Sequence, residues 1–178
     1  MQNVGSFLIA LVALPQGGAG RGHSMKFLAQ HPDGAIYTMP DTAIHINKRP
    51  FFIPPYAEPC LCQYEVALRI SRLGKNIGQR WAHRYYDAVT LVANMHTPSL
   101  PPSQGYGFDD AVSIGEWQPV DTLTPEQQER AASLIAEASR FFTLRQGDIL
   151  LLEPHGKPFP VQIGDRIEKP PYLAFNIK

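Results

Sequence analysis

Neither sign of charge is in excess in this chain: sixteen Lys and Arg offset sixteen Asp and Glu across 178 residues. A neutral chain projects no long-range field, so nucleic acid and anionic membranes are not expected partners. Cysteine is scarce as well. Cys60 and Cys62, the only two, stand one residue apart, which is poor geometry for a mutual disulfide and too small a set for zinc. They read as small buried thiols and fit a reducing cytoplasm. No apolar run approaches a membrane span: FLIALVAL at residues 7–14 is about half the needed length, and no positive charge precedes it as in a signal peptide. Met25 opens a stretch, MKFLAQHPDG, that reads like an ordinary start. Residues 1–24 are therefore expected to be a disordered or misassigned extension, and residues 25–178 one domain.

The chain also lacks the common catalytic signatures. There is no G-x-G-x-x-G, no P-loop and no G-x-S-x-G, which removes the sequence support for nucleotide binding and serine hydrolysis. GGAGRG at residues 17–22 has no strand-loop-helix context around it. The six histidines show no H-E-x-x-H or other metal-ligand spacing.

What is abundant is punctuation. Seventeen prolines and fourteen glycines, with only two convincing helical segments, indicate short strands joined by many turns. The expected class is α+β, mainly β. The clearest strand lies at residues 62–71, where Tyr64, Val66, Leu68 and Ile70 alternate with Glu65, Ala67, Arg69 and Ser71, giving one apolar and one mixed face. Glu65 opens the mixed face, either solvated or as part of a site. Upstream, strands at 35–38 and 43–46 are expected to pair across the Pro40-Asp41 turn, and the prolines of PFFIPPY leave room for only a short edge strand at 51–53, its aromatics in the core.

Downstream, Ile77, Trp81, Ala82 and Tyr85 recur at helical spacing and predict a short amphipathic helix over 77–86. AVTLVA at 88–93 suits a buried strand, and a further strand at 112–118 breaks at Gly115. Thr124-Pro125-Glu126-Gln127 is a strong helix start with a capping box. That helix should run to about Phe141, with Ala131, Leu134, Ile135, Ala138 and Phe142 inward. Strands at 149–152, 166–168 and 172–177 close the chain.

Taken together, PFFIP (50–54), YEVALRISRLGKNI (64–77), AHRYYDAVTLVAN (82–94), GFDDAVSIGEW (107–117) and SRFFTLRQGDIL (139–150) resemble the fumarylacetoacetate hydrolase family, block for block and in the same order. The resemblance spans about residues 35–168. It implies a mixed β-roll or sandwich with two peripheral helices, and enzymes that hydrolyse, decarboxylate or isomerise small 2-oxo- and 2,4-diketo-acids, often as dimers. It also implies one divalent cation, Mg2+, Mn2+ or Ca2+, on an E-x-E strand pair and a downstream aspartate. Residues i and i+2 of a strand project from one face about 7 Å apart, near enough to grip one hard cation that polarises an oxo group.

Carried onto this chain, the pattern changes where the chemistry should be. Glu65 stands at the first glutamate and Ala67 at the second. Asn94 falls at the metal-binding aspartate. Tyr106 replaces a lysine before G-F-D, Met39 opens M-P-D in place of K-P-D, and the N-terminal histidine element has no counterpart after Met25. Three anionic ligands become one, and cation affinity follows ligand charge. The expectation is therefore a degenerate metal site at Glu65 and Asn94, with no cofactor or a weakly held cation. The chain would be non-catalytic or altered, binding a small 2-oxo-carboxylate through Phe108 and Asp109, and pairing with itself or with an intact paralogue. Two alternatives stand beside it: a divergent enzyme using Tyr106 or His96 for acid-base work, and a structural domain with no small-molecule site.

Overall fold

The computed structural model describes residues 25–30 and 34–178; residues 1–24, including the apolar run at 7–14, lie outside the described residues. The chain begins with β1 (Phe27–Gln30), β2 (Ile36–Met39) and the two-residue β3 (Ile44–His45). Two eleven-residue strands follow, β4 (Cys60–Ile70) and β5 (Tyr86–His96). A four-residue helix α1 (Pro102–Gly105) and β6 (Val112–Ile114) lead to the long helix α2 (Pro125–Phe141). Then come β7 (Ile149–Pro154), β8 (Phe159–Val161), β9 (Arg166–Lys169) and β10 (Leu173–Asn176).

The main sheet runs β2-β1-β7-β4-β5-β6-β3, with β8 on one end of β4, while β9 and β10 form a separate ribbon. The alternating stretch expected at 62–71 is its centre: β4 pairs antiparallel with β5 from Leu61↔His96 to Ile70↔Tyr86, and on its other side with β7. Parallel β1–β7 and β3–β6 pairs make the sheet mixed. Both faces of β4 are covered. Val66, Leu68 and Ile70 pack under α2 with Leu134, Ile135 and Leu150, whereas Cys62, Tyr64 and Ala67 belong to a second core with Phe27, Met95, Ile167 and Phe175. The register with β7 slips between Val66 and Ala67, which face different cores. The simple split into an apolar and a mixed face is thus corrected to a strand buried on both sides.

Helix α2 forms as its sequence dictates. Gln127 N–H donates to Thr124 Oγ1 and Thr124 N–H donates to Gln127 Oε1, closing the capping box, with Pro125 in the first turn. Ala131, Leu134, Ile135 and Ala138 are buried beneath it.

Other expectations need correction. The pairing of 35–38 with 43–46 does not form: residues Asp41–Ala43 make a 3-10 turn, closed by Ala43 N–H donating to the Pro40 carbonyl. That turn sends β2 to β1 and β3 to β6. The helix over 77–86 is instead a 3-10 segment, Gln79–Arg84, because Gly78 is extended and Tyr86 already belongs to β5. Phe51 is core, but Phe52 is exposed, as alternate residues of an extended segment must be. Strands β1 and β8 were not anticipated; β8 pairs with the distant β4, while β1 pairs with the neighbouring β2 and, on its other side, with the distant β7.

Candidate functional site

Antiparallel pairing of β4 and β5 sets Gln63 opposite Asn94 and Glu65 opposite Val92, so Gln63, Glu65 and Asn94 fall on one local face. A cleft of about 550 Å³ opens there, lined by Gln63, Glu65, Tyr37, His96, Tyr106 and Arg130 among others. Tyr37 arrives on β2, His96 closes β5, and Tyr106 follows α1, tied to β5 by a bridge between His96 and Tyr106.

Glu65 is the chemical centre of this face. Its Oε1 accepts a hydrogen bond of 2.8 Å from Asn94 Nδ2. Asn94 is wholly buried, and its Oδ1 has no partner among the described residues. The opposite amide orientation would press Oδ1 against the carboxylate oxygen, so the observed one is the satisfied choice. Burial raises the Glu65 pKa, and the Asn94 bond only partly offsets this. The neighbours follow the same electrostatics. The Tyr37 phenol is pushed well above its ordinary range by burial first, then by Glu65 and Tyr106. Tyr106 rises through burial and then Glu65. His96 is lowered by burial, against a weak 3.5 Å contact with the Asn94 carbonyl, and its ring stacks on Tyr106 at 4.7 Å and 8°. Around neutral pH the cleft therefore presents phenols and a neutral imidazole. Arg130, whose Nε donates to the Leu152 carbonyl at 2.9 Å, brings a positive charge to its lining.

The donor set does not fit a resident divalent cation. A hard cation needs several oxygen ligands carrying negative charge. Here Glu65 offers one carboxylate, one of whose oxygens already faces an amide N–H, and Glu153, the other carboxylate of the lining, accepts from Gln127 Nε2 at 2.9 Å. Ala67, fully buried in the core, offers none. Among the described residues, no three His, Cys, Asp or Glu side chains converge as a metal site would require.

Of the residues singled out from sequence, Glu65, Asn94, His96 and Tyr106 come together. Phe108 and Asp109 do not line the cleft: Phe108 packs edge-on against Tyr56 with centroids 6.0 Å apart, and Asp109 is exposed. Met39 is buried against Gly107, whose φ of +72° and missing Cβ give that side chain its room. Sequence reasoning missed Gln63, Tyr37 and Arg130. Gln63 carried a usable signal, because it precedes Glu65 by two on the same strand. Tyr37 and Arg130 reach the cleft only through long-range packing.

No family model matches the chain, and no curated protein matches it in sequence. Solved structures do match. A fumarylacetoacetate hydrolase family protein from Yersinia pestis superposes with a TM-score of 0.74 at 20% identity, over 86% of this chain and 92% of that one. The fold is that of the fumarylacetoacetate hydrolase family. A 5-carboxymethyl-2-hydroxymuconate delta-isomerase from Mycobacterium smegmatis gives 0.73 at 20% identity, over 86% of this chain and 78% of that one. Fumarylpyruvate hydrolase from Pseudomonas aeruginosa, in complex with Mn2+ and pyruvate, gives 0.71 at 15% identity, over 87% and 89%. At such identities the likeness to fumarylacetoacetate hydrolases concerns the fold. Among the described residues, no helix is long and apolar enough to cross a membrane.

Proposed function

We propose that this protein keeps the small-molecule cleft of the fumarylacetoacetate hydrolase fold but uses it without a resident divalent cation. It binds a small oxo-carboxylate and lacks the cation-dependent turnover. The observation that carries this reading is the Glu65–Asn94 hydrogen bond at 2.8 Å, which sets an amide against Glu65 where a cation site would set a further carboxylate. Arg130 supplies the charge that would meet the ligand's carboxylate, and the phenols of Tyr37 and Tyr106 supply polar contacts. Support for the ligand class comes from the pyruvate held by the fumarylpyruvate hydrolase of like fold. Oxaloacetate decarboxylation and acylpyruvate hydrolysis, assayed with and without Mg2+ or Mn2+, are expected to be undetectable; metal-stimulated turnover would refute the reading.

A constructive variant tests the ligand placement. Ala67→Glu with Asn94→Asp restores three carboxylates, so it is expected to melt below the wild type in EDTA and to recover on adding Mn2+. No metal-dependent recovery would mean that these positions do not face one cation.

A second reading rests on the burial-raised Glu65 pKa beside Tyr106 and His96: Glu65 would exchange a proton with a bound oxo acid and act as a metal-free acid-base group. Enolisation of pyruvate, followed as EDTA-insensitive solvent deuterium exchange that is lost in Glu65→Gln, is the outcome specific to it.

A further inference from the structure

The chain's overall neutrality hides a strongly basic segment. From Val66 to Tyr86 it carries Arg69, Arg72, Lys75, Arg80 and Arg84 and no acidic residue. Arg69 is bound by Asp87 at 2.8 Å. Arg72, Lys75, Arg80 and Arg84 make no ion pair among the described residues.

Their backbone is firmly held. Gly74 and Leu144 exchange two hydrogen bonds, Asn76 N–H donates to the Ser139 carbonyl, and Ile77 N–H donates to Ser139 Oγ at 2.8 Å. Gly74 is required for this shape, since a Cβ there would lie 2.5 Å from the Tyr85 ring. The cationic heads are placed in turn. Arg72 lies over Tyr85 at 5.9 Å and Arg84 over Trp81 at 5.6 Å, while Lys75 Nζ donates to the Arg140 carbonyl at 3.0 Å. A depression of about 390 Å³ opens between Arg72, Lys75, Arg84, Trp81 and Tyr85, with no carboxylate in its lining. It shares no residue with the cleft around Glu65.

We propose that this depression is an anion site for a small phosphorylated metabolite. Three cations held near one another without a counter-charge repel, and a bound dianion removes that cost. Guanidinium groups suit phosphate oxygens taken in pairs, and the lysine adds a point charge. The compact, single depression on a neutral chain favours one phosphate group over a nucleic acid strand, whose binding draws on many phosphate contacts. Nothing in this site depends on the function of the cleft.

The test is titration of the full chain with pyrophosphate at low salt, by calorimetry and by Trp81 fluorescence in a Trp117→Phe background. One saturable site that perturbs Trp81 emission is expected. Arg72→Gln and Arg84→Gln should each weaken it about tenfold, with Lys157→Gln, a surface cation elsewhere, leaving it unchanged. Lys75→Gln carries the same test should an arginine variant fold poorly. Absence of saturable binding, or binding that these variants leave untouched, would overturn the proposal. So would a single-stranded oligonucleotide that binds at these residues and is not displaced by pyrophosphate.

Discussion

At the scale of single residues, burial decides what each group in this molecule can do. Cys60 and Cys62 are both buried, which pushes their thiols up to about 11 and about 12; for Cys62 the Cys60 and Glu65 charges add to the burial. The thiolate is the reactive form, so neither cysteine should react with a disulfide reagent at pH 8 in the native protein. Both should titrate fully in guanidinium; rapid native labelling would show that the strand end at Cys60 is open. The sequence disclosed these thiols because a Cys-x-Cys pair inside an apolar strand has few other readings. It disclosed Glu65 for the opposite reason, as an acid where none is needed for packing. It could not disclose Tyr37, which enters the cleft because β2 pairs with β1, or the displacement of Asp109 from it, because a three-residue block says nothing about which way its loop faces.

At the scale of elements, local signals were legible and long-range ones were not. Helix α2 could be read because its cap, its proline and its apolar stripe all lie within one segment. Thr124→Ala removes the acceptor for the Gln127 N–H and is expected to cost about 1 kcal/mol in urea denaturation. A loss near zero would mean that Pro125 alone sets the helix start. The parallel β1–β7 pair left no comparable trace. Its anchor is Asp148, almost fully buried, which accepts from the Lys26 ammonium, the Lys26 N–H and the Arg145 N–H at 2.7 Å. Asp148→Ala removes that shared acceptor, leaving the Lys26 ammonium the Thr143 carbonyl at 3.0 Å, and is expected to cost about 3 kcal/mol. Hydrogen exchange should quicken first at Leu28 and Leu150 if Asp148 serves as the anchor. The segment at 77–86 shows the reverse failure, where helical spacing was present but the chain, extended at Gly78 and entering β5 at Tyr86, closes as a 3-10 segment over Gln79–Arg84.

At the scale of the whole molecule, the sheet carries two cores, and the candidate cleft opens along β4 at Gln63 and Glu65. Such a sheet buries polar groups that titrate. His45, 5% exposed, has its pKa lowered chiefly by burial. The unfolded chain takes up that proton first, so stability is complete above the unfolded value of about 6.5 and falls as pH drops below it. Replacing His45 with Asn should flatten the fall in stability between pH 7 and pH 5 by up to about 1.4 kcal/mol per pH unit; an unchanged slope would place the acid sensitivity elsewhere. The same burial sets the character of the cleft, where Glu65 is met by the Asn94 amide. The most direct measurement is therefore a calorimetric titration of pyruvate into the metal-stripped protein, repeated in EDTA and in millimolar Mn2+. Saturable binding of equal affinity in both conditions, weakened by Arg130→Gln, is the expected result. Stoichiometric Mn2+ that is required for pyruvate to bind and is lost in Glu65→Gln would contradict a cleft that works without a resident cation.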